Sequence, residues 1–405
     1  MDTMNIKADP VVICGAARTP MGAFQGELSN FPATALGGIA IKAAIERAGI
    51  PGGAVDEAFM GCVLPAGLGQ APARQAVLGA GLPQSVACTT VNKMCGSGMK
   101  AAMLGFDALA AGSANVVVAG GMESMTNAPY LLAKGRSGYQ MGHDRIFDHM
   151  MLDGLEDAYD IAPDGQRRSM GTFGENCAAR YGFTREQQDE FAIRSVTRAQ
   201  QAQRTGAFDW EIAPVGVAQK VGNVTIASDE GPRRIKTERI GGLRPAFDKN
   251  GTITAASSSS ISDGAAALVL MRQSRAEMLG AHVLARLIGH ASHAHEPAWF
   301  TTAPIKAIQR LQEKIGWTTA DIDLFEVNEA FAVVAMAAMA ELTIPADKLN
   351  VHGGACALGH PIGASGARII VTLLGALRAT GGCRGVAALC IGGGEATAVA
   401  IERLV

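Results

Sequence analysis

The sequence predicts an α/β protein in which helices cover a mainly parallel sheet. Short β-prone apolar runs alternate with amphipathic or Ala-rich helical runs along most of the chain, and this alternation is typical of the fold class. The chain also contains two similar halves. In each, a Gly-rich loop with a reactive residue opens a long Ala-rich helix that leads to a strand ending in Gly-Gly, over residues 95–121 and 360–393. Duplicated halves that pack together would bring these two loops into contact.

The first predicted half covers residues 1–121 and is completed by about residues 252–272. Gly49 directly follows its first helix and is a typical C-terminal signal. The predicted strands are residues 11–14, 58–64, 115–119 and 265–271, and the predicted helices are residues 34–48, 70–78 and 101–111.

Residues 122–251 differ in composition from the rest of the chain: they contain more charge, more Gly and Pro, and fewer apolar runs. We interpret them as an inserted domain. Its one strong helix is predicted over residues 184–205, because Thr184 and Gln187 form a capping-box pattern and Gly206 follows the last turn.

The second predicted half covers residues 273–405 and repeats the alternation of the first. Within it, His290, His293 and His295 form the sequence H-A-S-H-A-H. No Cys or carboxylate pattern completes a metal site there, so we expect a solvated loop and no metal. The predicted helices are residues 273–279, 305–315, 329–342 and 364–379, and the strands are residues 283–288, 322–327 and 385–391.

Composition excludes several classes of function. The chain has 405 residues, of which 48% are hydrophobic and 18% charged, so it can bury a large core. A net charge of -2 predicts no nucleic-acid partner and no polybasic membrane surface. Apolar runs stay below the ~18 residues of a membrane helix. Eight scattered cysteines without C-x-x-C pairs fit a reducing compartment, and we expect a cytoplasmic protein.

Cys95 is the leading candidate for a reactive residue. It lies between a β-prone run and an Ala-rich helix, so a helix N-terminus could stabilise its thiolate. Gly96 and Gly98 would let a substrate approach the backbone closely. Taken alone, the stretch fits a buried structural cysteine equally well.

Three motifs near the C-terminus add further candidates: N-E-A-F at residues 328–331, G-G-A-C-A-L-G-H-P-I-G-A-S-G-A-R at 353–368, and C-I-G-G-G-E at 390–395. Together with V-N-K-M-C-G-S-G-M at 91–99, they resemble the thiolase family in composition and in order. The resemblance implies a thiolase fold: two duplicated βαβαβαββ halves in a five-layered αβαβα body. It also implies that the inserted segment is a loop domain that covers the active site and binds coenzyme A.

The resemblance implies a reversible Claisen condensation of two acetyl-CoA to acetoacetyl-CoA and coenzyme A. Cys95 would carry the acetyl group, His360 would accept its proton, and Cys390 would move a proton on or off the α-carbon. The backbone N–H groups of Cys95 and Gly392 would form one oxyanion hole, and His360 with a water held by Asn328 the other. Each residue alone also fits a purely structural role: His360 as a loop or core histidine, Cys390 as a packed cysteine, and Asn328 as a helix N-cap.

Coenzyme A contacts are also implied by the resemblance. Arg233 in D-E-G-P-R-R would lie against the adenine, with Arg234 and Lys236 supplying charge for the phosphates, although a solvated charge run is the alternative. Phe247 would line the pantetheine channel. Ser259 would contact the pantetheine amide, in a loop that departs from the family pattern at Ala256 and Ser257.

Bulky residues are expected around the acyl group, where they would favour acetyl over long chains: Met170, Phe300 and Phe331. Ser169 replaces a His that is frequent in short-chain members.

No cofactor is implied beyond coenzyme A and acetyl-CoA as substrates. Family members take part in lipid metabolism and are homo-oligomers, either dimers or tetramers. A broader 3-ketoacyl-CoA thiolase and a non-catalytic acyl-CoA-binding protein are the alternatives. Chain-length range and reaction direction stay open.

Overall fold

The computed structural model describes residues 8–163, 165–218 and 222–404. The elements of the first half are β1 (Val11–Arg18), β2 (Gly22–Ala23), α1 (Ala33–Ala48), β3 (Glu57–Gly61), α2 (Pro72–Gly79), β4 (Ala87–Val91), α3 (Ser97–Ala111) and β5 (Val116–Ser124). The inserted segment contains β6 (Tyr130–Leu131), β7 (Phe147–Asp148), β8 (Glu156–Ile161), β9 (Arg167–Ser169), α4 (Met170–Tyr181), α5 (Arg185–Arg204), β10 (Val215–Ala218), β11 (Asn223–Ile226) and α6 (Glu230–Arg234). The remaining elements are β12 (Ser262–Arg272), α7 (Gln273–Leu279), β13 (Ala285–Ala294), α8 (Ala303–Ile315), β14 (Leu324–Val327), α9 (Ala332–Leu342), α10 (Ala355–Leu358), α11 (Ser365–Thr380), β15 (Arg384–Ile391) and β16 (Glu395–Arg403).

The main sheet follows the order β14-β15-β16-β13-β1-β12-β5-β3-β4. The strands from β1 to β4 in this order form one half, and those from β14 to β13 form the other. The halves join where β1 pairs with β13 over two residue pairs. β12 runs antiparallel between β1 and β5, so a strand from beyond residue 251 lies in the middle of this half of the sheet.

Three apolar cores separate the layers. One packs α1 and α2 on the outer face of the first half, and another packs α8 and α9 on the outer face of the second. The third lies between the two halves and contains α3 and α11. The layers therefore read helix, sheet, helix, sheet, helix, and the predicted thiolase-type α/β architecture is confirmed.

The central helix α11 is buried over residues 365–377. A helix that is buried on every face belongs to a core, and α11 contacts α3 directly. Gly98 makes the close approach possible: a Cβ atom there would lie 2.8 Å from the Ala367 nitrogen and 3.0 Å from the Gly363 oxygen. The first turn of α3 therefore touches the loop that precedes α11.

The inserted segment is anchored to the first half by a buried arginine. Arg18 donates to Glu211 at 2.5 Å and, through both terminal nitrogens, to Asp229 at 2.6 and 2.9 Å. All three side chains are fully buried, and Arg18 also lies 4.9 Å from the Phe208 ring centre. The predicted capping box at Thr184 and Gln187 is present at the start of α5.

The structure corrects four details of the sequence prediction. β5 continues to Ser124, so Gly120 and Gly121 lie inside the strand, where a Cβ atom on either would collide with neighbouring backbone. The helix α4 was not predicted, because its two glycines weaken the helical signal. α9 begins at Ala332 rather than at residue 329. Finally, His290 and His293 lie in β13 rather than in a solvated loop, and His290 bonds Asp107 at 2.9 Å.

Substituting Gly98→Ala tests the close packing of the two central helices. We expect it to lower the free energy of unfolding by about 1–3 kcal/mol, because the added methyl group has no space between α3 and the loop before α11. Gly79→Ala is the matched control, since a Cβ atom there meets nothing within 4 Å. Equal stability of the two variants in chemical denaturation would contradict the packing.

Candidate active site

Cys95 lies in a tight turn between β4 and α3. The preceding Met94 has a φ of 47°, a left-handed conformation that costs energy for a residue with a side chain. The turn is held locally: Asn92 Oδ1 accepts from the Met94 nitrogen at 3.0 Å, and Ser97 Oγ donates to the Met94 oxygen at 2.6 Å. The strand-to-helix turn predicted for Cys95 is thereby confirmed.

Two backbone N–H groups point at the Cys95 thiol. Burial raises the pKa of Cys95 to about 11, and hydrogen bonds from the backbone N–H groups of Gly392 and of Cys95 itself act in the opposite direction. The thiol is therefore protonated at neutral pH and needs a base. The same two N–H groups could stabilise an oxyanion formed on an acyl group at this sulfur.

His360 is the predicted base, and its surroundings fix which ring nitrogen carries the proton. Ser365 Oγ donates to the Pro361 oxygen at 3.0 Å, so it is left to accept from His360 Nδ1 at 2.5 Å. This arrangement puts the imidazole proton on Nδ1. Nε2 is buried and has no hydrogen-bond partner among the described residues. Burial, assisted by the charge of Arg368, lowers the pKa of His360 to about 3, so the ring is neutral.

Asn328 lies beside His360. Its amide nitrogen is 3.5 Å from His360 Nδ1, and its oxygen accepts from Arg368 Nη2 at 3.4 Å. Asn328 is buried and follows β14. It is not the N-cap of α9, a position that Phe331 occupies.

Cys390 is the second-last residue of β15 and lies close to the Cys95 turn. Burial raises its pKa, and the charge of a Cys95 thiolate would raise it further. Contacts on either side bring the two segments together: a Cβ atom on Gly96 would collide with Ile391, and Lys93 forms an ion pair with Glu395. The structure thus unites Cys95, Cys390 and Gly392.

Glu123 was not predicted, yet it joins the two loops that frame the site. Its carboxylate accepts from the backbone nitrogens of Val63 at 2.9 Å, Leu64 at 3.1 Å and Gly363 at 2.8 Å. Burial raises the pKa of Glu123 to about 7, while these N–H groups oppose the shift. Only the fold could reveal this role, because Glu123 and Gly363 are far apart in the chain.

Aromatic residues form one wall next to Asn328. The Phe331 ring lies 5.8 Å from Phe247 and 6.5 Å from Phe300, and Phe173, which was not predicted, lies 6.3 Å from Phe300. Met170 is the first residue of α4, and its sulfur would be 3.6 Å from a Cβ atom on Gly392. The structure thus places Met170 beside the C-I-G-G-G loop and packs Phe300 and Phe331 against each other.

The loop at Ser259 keeps a defined shape despite its unusual sequence. Ser257 Oγ accepts from the Thr254 nitrogen at 2.9 Å, and the Ser259 nitrogen donates to the Ala330 oxygen at 2.9 Å. Ala256 does not have a positive φ, so glycine is not needed there. Ser169, the other departure, caps α4 by accepting from the Gly171 nitrogen.

The predicted coenzyme A residues separate into two groups. Arg233 donates to Glu27 at 2.5 and 3.1 Å. Its neighbour Arg234 instead borders a cleft of about 280 Å³, together with Lys236 and Arg239. The apolar part of the cleft wall includes Ile235, Leu243, Ala255 and Ala256.

Comparisons with known proteins agree with this geometry. Residues 11–274 match the model of the thiolase N-terminal domain, and residues 281–403 match that of the thiolase C-terminal domain. The chain belongs to the thiolase family. It is 50% identical over 397 residues to acetyl-CoA acetyltransferase 2 of Arabidopsis thaliana, with 97% of each chain covered. It is also 50% identical over 395 residues to acetyl-CoA acetyltransferase of Escherichia coli, covering 97% of this chain and 99% of the relative.

Solved thiolase structures are similar over nearly the whole chain. The acetyl-CoA acetyltransferase of Bacillus anthracis aligns with a TM-score of 0.94 at 39% identity, covering 98% of this chain and 99% of that one. A thiolase from Ascaris suum in complex with coenzyme A aligns with a TM-score of 0.91 at 41% identity, covering 98% and 100%. The thiolase family and an acyltransferase activity, both predicted from the motifs, are confirmed.

Two further findings concern metal binding and membrane spanning. Within residues 8–163, 165–218 and 222–404, no cluster of three His, Cys, Asp or Glu side chains could hold a metal ion. In the same described part of the chain, no helix combines the length and the apolar character that crossing a bilayer demands.

Substituting Ser365→Ala tests the orientation of His360. We expect kcat to fall about tenfold, the equivalent of one hydrogen bond, because the Nδ1 tautomer loses its acceptor. KM should stay close to that of the parent, since Ser365 is fully buried. Steady-state kinetics measure kcat and KM of both variants. Ser365→Thr is the control, because it keeps the hydroxyl. An unchanged kcat in the alanine variant would show that His360 needs no such partner.

Proposed function

We propose that the chain is an acetyl-CoA C-acetyltransferase that interconverts acetoacetyl-CoA plus coenzyme A with two acetyl-CoA through an acetylated Cys95. The observation that carries the proposal is the meeting of the half-buried Cys95 thiol with two backbone N–H groups, beside the buried Cys390 thiol. The names of the similar proteins support the same activity. They do not favour a broader thiolase or a non-catalytic protein.

In the cleavage direction, His360 accepts the proton of Cys95 at Nε2. The Cys95 thiolate attacks the ketone carbon of acetoacetyl-CoA, and the resulting oxyanion is stabilised by the N–H groups of Cys95 and Gly392. The carbon–carbon bond then breaks. The bond electrons pass to the α-carbon of the departing thioester, whose enolate oxygen lies near His360 and a water held by Asn328.

Cys390 supplies the proton that this carbanion needs. Its raised pKa keeps it protonated at rest, which is the state required of a general acid. After the first acetyl-CoA leaves, the Cys390 thiolate takes the thiol proton of free coenzyme A. The coenzyme A thiolate attacks acetyl-Cys95 and releases the second acetyl-CoA, and the departing Cys95 thiolate takes back the proton held on His360 Nε2. Both cysteines and the histidine thereby return to their initial states. Condensation is the reverse sequence.

The two half-reactions should separate in Cys390→Ala. This variant keeps the nucleophile and its oxyanion hole, so incubation with acetyl-CoA should still acetylate Cys95, as detected by mass spectrometry of the digest. Cleavage of acetoacetyl-CoA should fall by about 10²–10⁴-fold, the usual contribution of a general acid.

Cys383→Ala, at the opposite end of β15, is the matched control and should behave as the parent. Acetylation of another residue, or full cleavage activity in Cys390→Ala, would contradict the assignment. His360→Ala should show neither efficient acetylation nor cleavage.

We place the phosphates of coenzyme A in the cleft of Arg234, Lys236 and Arg239. Arg234 pairs with Glu230 at 2.8 Å, but the described residues that line the cleft include three cations and no carboxylate, which suits a polyanion. The apolar residues of the wall suit the adenine or pantetheine portion. Arg233 as the adenine contact stays a prediction, since its guanidinium is bonded to Glu27. Phe247 and Ser259 remain predicted contacts of the pantetheine arm, and Met170, Phe300 and Phe331 of the acyl group.

The double variant Arg234→Ala/Lys236→Ala should raise KM for coenzyme A about tenfold with kcat preserved, because each lost phosphate contact weakens ground-state binding. Arg233→Ala is the matched single-charge comparison and should have the smaller effect. If Arg233→Ala raises KM while the double variant does not, the cleft is not the phosphate site. A cytoplasmic location and a homotetrameric or dimeric assembly complete the proposal.

A further inference from the structure

Arg368 is a buried cation with weak compensation. Its side chain is fully buried, and its ion-pair partner Glu326 is 3.7 Å away, beyond normal hydrogen-bond length. Nε of Arg368 and Oε1 of Glu326 have no hydrogen-bond partner among the described residues. Burial also raises the pKa of Glu326 to about 8, which weakens the pair further. Burying a charge with so little compensation is costly, and such costs are tolerated mainly at functional sites.

The one hydrogen bond that Arg368 makes to another side chain in the described structure leads to the active site. Arg368 Nη2 donates to Asn328 Oδ1 at 3.4 Å. A carboxamide whose oxygen is engaged by a cation must direct its NH₂ group the other way. Here the NH₂ group lies on the His360 side, with Asn328 Nδ2 3.5 Å from His360 Nδ1. Because Nδ1 gives its own proton to Ser365, it does not accept from Asn328, and the NH₂ group stays free to donate to an oxyanion. We propose that Arg368 is a positioning residue that orients the Asn328 amide as an oxyanion donor and holds His360 in its neutral, proton-accepting form.

The electrostatic half of the proposal follows from the surroundings of His360. The guanidinium stays protonated at all accessible pH values, and it lies on α11 within two turns of the loop that carries His360. After burial itself, Arg368 is the group whose charge opposes protonation of His360. The charged groups that act on Arg368 itself are the carboxylates of Glu326, Glu211 and Glu329 and the cation Arg18.

Three substitutions separate the two effects. Arg368→Gln removes the charge but keeps an N–H donor for Asn328. Arg368→Lys keeps the charge but loses the planar fork, and Arg368→Met removes both. For each folded variant, kcat and kcat/KM for acetoacetyl-CoA cleavage are measured across the pH range between about 5.5 and 8.5, where a histidine with an ordinary pKa titrates.

We expect the parent to show no histidine-type loss of kcat/KM at the acid end of this range. Loss of the cation raises the pKa of His360. In Arg368→Gln and Arg368→Met, kcat/KM should therefore begin to fall on the acid side at a higher pH than it does in the parent. Arg368→Lys should retain the parent pH profile with kcat reduced about tenfold, while Arg368→Met should lose about 10²–10³-fold in kcat at its optimum with little change in KM.

Arg18 provides a matched control, because it is an equally buried arginine in ion pairs whose hydrogen bonds go to Glu211 and Asp229 rather than to Asn328. Arg18→Gln should lower the melting temperature without shifting the acid side of the pH profile of kcat/KM. A folded Arg368→Gln with the parent pH profile, together with a folded Arg368→Lys with the parent kcat, would overturn the proposal. If Arg368→Met fails to fold, these two variants, which keep a donor, decide.

The inference rests on the proposed role of His360 as base, and His360→Ala distinguishes the two failures. A His360→Ala variant with substantial cleavage activity would refute the proposed mechanism. An inactive His360→Ala together with unchanged pH profiles in the Arg368 variants would refute only the role of Arg368.

Discussion

The contact between α3 and α11 is the constraint on which the site depends. Both helices lie in the central layer, and each begins in a loop that carries a reactive residue. Their close approach requires Gly98 on one side and the backbone around Gly363 on the other. Because the helices pack near their N-terminal ends, Cys95 and His360 are drawn toward the same pocket. β15, which pairs in the sheet of the second half, delivers Cys390 to that pocket.

Burial sets the chemistry of this pocket. The same desolvation raises the pKa of both cysteines and lowers that of His360, so all three groups are neutral before substrate binds. Charge then develops only during the reaction. The donors for the two oxyanions are already in position: the N–H groups of Cys95 and Gly392 for one, and the Asn328 amide for the other. Preorganised donors of this kind act most strongly in a site that excludes water. Glu123 and Arg368 are the buried charges that hold the loops and the amide in place.

Sequence reasoning could propose residues for the chemistry, because each lies in a short motif with an unusual combination of Gly, Cys, His or Asn. The alternation of elements predicted a sheet covered by helices and two similar halves, and the resemblance to the family predicted the five layers. It could not find Glu123 or Arg368 as parts of the site, since their partners Gly363 and Asn328 are distant in the chain. Local signals also misled it at His290, whose polar neighbours suggested a loop although β13 continues through them, and at α4, where glycines hid a helix.

The most direct measurement is a crystal structure of the chain after reaction with acetyl-CoA. The account predicts an acetyl group on Cys95 Sγ, with its carbonyl oxygen about 3 Å from the backbone nitrogens of both Cys95 and Gly392 and the Cys390 sulfur facing the acetyl group. An acetyl group on any other residue, or a carbonyl oxygen turned away from those two nitrogens, would contradict it.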